Sequence, residues 1–165
     1  MLALFASVLQ LSALMVVTSS EATPSAQEPP RMPRIEGVPD IDEKGAAILE
    51  EMGISTTDRL LTVAAHKNGR LGIAEDSGID EKELLAWVKL ADMMRVRGIG
   101  EEYAELLFQA GIGSINDLSK RKPDRLYDQL IDINRQEYIV RRLPSQTQVG
   151  GWIDDARKTS ALVTY

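Results

Sequence analysis

The chain has 165 residues, 44% of them hydrophobic and 27% charged, with a net charge of −6, the composition of an ordinary globular domain rather than a disordered chain or a membrane bundle. It has no cysteine and one histidine, His66, which excludes disulfides, thiolate zinc sites, iron–sulfur clusters and multi-histidine metal centres. The acidic balance is the wrong sign for a protein that simply coats nucleic acid.

Residues 2–17 carry no charge and three polar side chains, Ser7, Gln10 and Ser12. As a helix they would reach about 24 Å, short of a ~30 Å hydrocarbon core. The run suits the apolar part of a signal peptide, and Ser20-Glu21-Ala22 offers a small-x-small cleavage site. No Lys or Arg precedes it, so a retained membrane anchor is the alternative and a buried first helix the third reading. Residues 1–22 are thus expected to export the protein to the periplasm or medium, or to hold it at a membrane through residues 1–20. Residues 23–34 contain four prolines and read as an extended linker.

The globular part is expected over residues 35–158, with residues 159–165 as a tail. It reads as two copies of one unit, residues 35–95 and 96–158. Gly53-Ile54-Ser55-Thr56-Thr57-Asp58-Arg59-Leu60 aligns with Gly111-Ile112-Gly113-Ser114-Ile115-Asn116-Asp117-Leu118. Asp80 to Leu84 aligns with Ser145 to Val149, Trp87 to Ala91 with Trp152 to Ala156, and Glu36-Gly37-Val38 with Arg97-Gly98-Ile99. The markers keep one order in both copies.

In chain order, helical spacing of Ala46, Ala47, Ile48, Leu49 and Met52 predicts a helix ended by Gly53. Ser55 with Asp58 is a weak start signal for the next helix, which covers Leu60 to Ala65, with His66 at its C-terminus. Asp80 with Glu83 is a stronger start, followed by Leu84, Trp87, Val88, Ala91 and Met94 on one face. Ala104, Leu106, Leu107 and Ala110 predict a helix ended by Gly111, and Ser114 with Asp117 starts another. Pro144 is expected to stop the preceding helix, and Ser145 with Gln148 to start the last, with Val149, Trp152, Ile153 and Ala156 on one face. Both Trp residues are expected as core anchors. Strand signals are nearly absent. The fold class is all-α, with two- to six-residue turns.

Val96-Arg97-Gly98-Ile99-Gly100-Glu101-Glu102-Tyr103-Ala104 reads as a helix, a tight Gly-x-Gly turn and a second helix. The glycines allow a hairpin whose backbone N–H groups suit an oxyanion. Gly98, Ile99, Gly100 and Ala104 resemble the helix-hairpin-helix family. With the repeat, residues 35–158 resemble a bacterial family of unknown function built from two such units. The resemblance implies a double-hairpin α domain and no enzyme activity. Its nucleic-acid binders place hairpin N–H groups on phosphates with basic residues nearby. Here Glu101 and Glu102 fill the first turn, where they would repel phosphate, and the first unit has Pro39 where a second glycine belongs.

Other candidates have simpler readings. Asp40, Asp42, Gly45 and Glu51 have EF-hand spacing, but Lys44 stands where an oxygen ligand belongs. His66 has no Ser or Asp partner for a triad. Lys120, Arg121, Lys122 and Arg125, with Arg141 and Arg142, are basic clusters whose simplest reading is a solvated face, with Asp124 and Asp128 close in sequence. Tyr127 and Tyr138 are expected half-buried. No metal or cofactor is implied. The function expected is a non-enzymatic helical module binding another protein. The alternative is nucleic-acid binding through Arg95, Arg97, Gly98, Ile99 and Gly100 with Lys120, Arg121, Lys122 and Arg125.

Overall fold

The computed structural model describes residues 33–165. The expected signal or anchor, residues 1–22, and nearly all of the linker, residues 23–34, lie outside the described residues. A short 3-10 turn, Ile35–Gly37, precedes eight helices: α1 (Glu43–Glu51), α2 (Thr57–Ala64), α3 (Lys67–Ser77), α4 (Glu81–Met93), α5 (Glu101–Gln109), α6 (Ile115–Ser119), α7 (Pro123–Glu137) and α8 (Gln146–Lys158). Among the described residues there is no strand beyond one isolated bridge between Arg34 and Thr56, and no helix is long and apolar enough to cross a membrane. The all-α expectation holds, and the described residues form one compact body.

Helices α1 and α5 end alike. Gly53 and Gly111 take φ of 77° and 73°. Gly53 N–H donates to Glu50 O and Ile54 N–H to Leu49 O; Gly111 N–H donates to Phe108 O and Ile112 N–H to Leu107 O. Each pair of bonds closes a left-handed cap that a side chain with Cβ would strain. The next helices start with hydroxyl caps. Thr56 Oγ1 accepts from Arg59 N–H at 3.2 Å and Ser114 Oγ from Asp117 N–H at 3.1 Å. The cap is therefore Thr56 and not Ser55; Thr56 is also the residue that the sequence alignment places opposite Ser114. Ser145 and Gln148 make a full reciprocal box at α8, whereas Asp80 caps α4 through Lys82 N–H alone at 2.8 Å.

Two expectations about helix ends fail. Pro144 does not stop α7, which ends at Glu137 with Tyr138 in the left-handed conformation at φ 51°; the connection to α8 is eight residues, longer than expected. His66 is not the end of α2. It is the N-cap of α3, after the α2 C-cap Ala65, and its Nδ1 lies 3.0 Å from Thr164 Oγ1.

Helix α2 packs on α3 and α4, α6 on α8, and α7 on α5 and α8, with α4 against α5. The core is aliphatic around two indoles: Trp87 and Trp152 are each 2% exposed, beside buried Leu49, Leu60, Leu84 and Leu107. Each such side chain contributes roughly 1.5–3 kcal/mol by leaving water. Trp87 Nε1 donates to Asp40 O at 3.1 Å, which satisfies the one polar atom it buries.

Arg70 of α3 is 1% exposed. Its guanidinium donates to Ala64 O, Ala65 O and Thr164 O at 3.1, 3.0 and 2.9 Å, and its Nε meets Glu81 Oε1 at 2.8 Å. Residues 159–165 lie back along the body as a strap. Thr164 N–H donates to Ala65 O, Leu162 N–H donates to Asp92 Oδ2 at 3.1 Å, and Ala161 and Val163 pack on the core.

Candidate functional site

Gly98, Ile99 and Gly100 lie in the seven-residue connection between α4 and α5. Gly98 takes φ 85°, and a Cβ built on it would stand 3.2 Å from Trp152 Nε1. Ile99 is buried and its N–H donates to Val96 O at 3.1 Å. Gly100 caps α5 with no side-chain bond. A shallow concavity here is lined by Gly98, Ile99, Gly100, Glu101, Glu102 and Tyr103. Its donors are the first-turn N–H groups of α5, and both Glu101 and Glu102 are exposed at its rim.

Of the two arginines expected to serve this hairpin, Arg95 is engaged elsewhere and Arg97 stands open to solvent. Arg95 Nη1 bonds Asp92 Oδ1 at 2.6 Å and Ser160 O at 3.1 Å. Asp92 is itself buried, so the pair fixes α4 to the strap. Arg97 is 92% exposed, with Nε 4.0 Å from Asp155 Oδ2. A contact that open and that long adds little electrostatic energy.

Lys120, Arg121, Lys122 and Arg125 come together at a second concavity, completed by Leu126 and Gln129. It sits at the elbow between α6 and α7 and shares no lining residue with the hairpin concavity. The residues expected to act as one nucleic-acid set are thus split three ways: hairpin, elbow and strap.

A third feature was not foreseen. Tyr138, expected half-buried, is 75% exposed. Its backbone is left-handed at the end of α7, whereas Tyr127 is half-buried against the core as expected. Buried Asn134 holds the following turn with both amide atoms: Nδ2 donates to Val140 O at 3.0 Å, and Oδ1 accepts from Val140 N–H at 2.8 Å. Tyr103 Oη donates to Arg142 O at 3.1 Å. Arg141, Arg142 and Leu143 are exposed on this clamped turn. No signal in the sequence marked it, because the left-handed end falls on Tyr where glycine or asparagine is usual.

Asp42, part of the EF-hand spacing, spends Oδ1 on Gly45 N–H at 2.7 Å as the α1 cap, and Glu51 ends the same helix. One pair is electrostatically perturbed. Arg34 donates Nε and Nη2 to the two oxygens of Glu36, each at 3.0 Å, and these bonds hold the Glu36 carboxyl below its ordinary pKa.

No curated protein and no solved structure matches the chain. A family model does match, over residues 39–159, from just before α1 to just after α8. The chain belongs to that family, described as a domain of unknown function, DUF4332.

Proposed function

We propose that the chain is a non-enzymatic interaction module, built from two helix-hairpin-helix-like units, that binds another protein through Tyr138, Arg141, Arg142 and Leu143. The observation that carries the reading is Tyr138. Gly53, Gly78 and Gly111 serve the left-handed positions at three other helix ends. Tyr at such a position costs roughly 1–2 kcal/mol in backbone conformation, and its exposed ring recovers little by burial. A strained aromatic held outward beside two arginines has the composition of an interface anchor. The arginines suit a partner face that presents carboxylates.

The two-unit reading draws on parallel local bonds. Val38 N–H donates to Ile35 O as Ile99 N–H donates to Val96 O, each at 3.1 Å. Trp87 bonds the backbone before α1, and Trp152 lies under Gly98 before α5. In the same reading the apolar residues 2–17 take the domain out of the cytoplasm or hold it at a membrane.

The test is co-purification from source cells with the tagged full chain, against Tyr138→Gly and Arg142→Ala variants of equal folded yield. A partner recovered with the parent and lost with the variants supports the reading. Equal recovery with the variants, or recovery of nothing by the parent, sinks it.

A further inference from the structure

We propose that the elbow between α6 and α7 is a second binding site, which takes a compact ligand carrying two or more clustered phosphate groups. Four cations, Lys120, Arg121, Lys122 and Arg125, line one concavity within six residues of chain. Among the described residues no ion pair within 4 Å joins any of them to a carboxylate. Asp124, the closest acid in sequence, accepts from Gln146 Nε2 at 2.7 Å instead. The solvated-face reading leaned on Asp124 and Asp128 as nearby acids; both keep their charge, but neither forms an ion pair with the four cations among the described residues.

Three backbone acceptors around the elbow are already used. Ala110 O takes Gln129 Nε2 at 3.0 Å, Gly111 O takes Arg121 Nη2 at 3.3 Å, and Ser119 O takes Arg157 Nε at 3.2 Å. The four cationic side chains supply most of the donors left to a ligand. The bond to Gly111 O also fixes Arg121 before any ligand arrives, which lowers the ordering cost of binding. The 15-residue helix α7 begins here with Lys122 as its N-cap, but Pro123 offers no N–H and the Asp124 carboxylate in the first turn already answers the dipole, so the attraction rests on the four cationic side chains.

Cations clustered this tightly attract phosphate oxygens through charge-assisted bonds. The size of the patch selects the ligand class. A long polyanion needs a basic stripe, whereas the four cations here lie within six residues of chain around one concavity. A compact group such as a diphosphate keeps its charge within the patch. The site shares no residue with the Tyr138 surface, so it stands or falls apart from the protein-binding reading.

The experiment is titration of the full chain with inorganic pyrophosphate at low and moderate salt, followed by calorimetry and by amide shifts. The expected result is saturable one-to-one binding, with shifts centred on residues 120–126. Lys122→Ala with Arg125→Ala should weaken it by about tenfold or more, while Arg141→Ala with Arg142→Ala, an equal loss of charge, leaves it unchanged. Equal weakening by both pairs would reduce the effect to overall charge and overturn the proposal, as would no binding at low salt. Duplex or single-stranded oligonucleotide binding at the same residues at least tenfold tighter than pyrophosphate would overturn the compact class. Vesicles with phosphorylated headgroups, run beside free pyrophosphate, separate a lipid source from a soluble one.

Discussion

The Trp87 ring closes on Gly45 so tightly that a Cβ built there would stand 2.7 Å from Cη2. Helix propensity alone favours Ala over Gly by ~1 kcal/mol. Overpacking against a fixed, buried ring costs ~1–3 kcal/mol, and the ring is fixed because Nε1 bonds Asp40 O. Sterics wins, so Gly45→Ala should destabilise the fold by about 1–2 kcal/mol, read from the urea midpoint. A stabilised variant would mean that Trp87 can step aside.

Gly98→Ala should cost more than Gly53→Ala. Both residues have positive φ, which charges each variant about 1 kcal/mol. Only Gly98 has a buried indole 3.2 Å from the added methyl; Gly53 faces open space. Thermal melts of the two variants side by side decide it.

The order of these costs follows from features that were legible in the sequence. Gly53, Gly98 and Gly111 punctuate apolar runs of clear period, and both Trp residues fall on the buried face that the period defines. What was hidden depends on partners far along the chain. Helix α3 is polar and contains Gly69 and Gly72, so its period is weak. It packs on α2 and α4 with Ile73 buried, and Arg70 reaches carbonyls on α2 and on the strap. Arg95 looked available beside the hairpin, and only the fold shows Asp92 three residues earlier turned onto it. The elbow was visible as charge; that Asp124 turns to Gln146 was not.

Arg70→Leu should cost about 2–4 kcal/mol. The loss leaves Ala64 O, Thr164 O and Glu81 without this donor, while Ala65 O keeps Thr164 N–H, and an orphaned buried group costs ~1–3 kcal/mol. Arg70→Lys should recover only part, since one ammonium cannot span the same fork. Hydrogen exchange at Thr164 should quicken in both.

Tyr138→Gly should stabilise the isolated protein by up to about 1 kcal/mol, because glycine adopts the αL position freely. The same change should abolish partner recovery. Asn134→Ala should do the reverse to stability, losing ~1–3 kcal/mol as both polar groups of Val140 are orphaned.

Glu36 should titrate below its ordinary range, and Arg34→Gln should raise the midpoint, as followed by side-chain carbon shifts. Its folded pKa is depressed by the Arg34 bonds. The stability it contributes is therefore present above the unfolded carboxyl pKa and fades as pH falls through the folded value. The pair is exposed, so the change in global stability should be small while the midpoint shift is plain.

The strap sets an order of events. Arg70 and Thr164 meet across 94 residues of sequence, whereas most helix pairs here are neighbours along the chain. A contact of that span closes only after the helices between its ends have docked, because its loop-closure entropy is recovered last. Substitutions in residues 160–164 should therefore leave the folding rate nearly unchanged and speed unfolding. The strap then acts as a latch on lifetime: it decides how long the folded state lasts once reached, and has little say in how fast it is found.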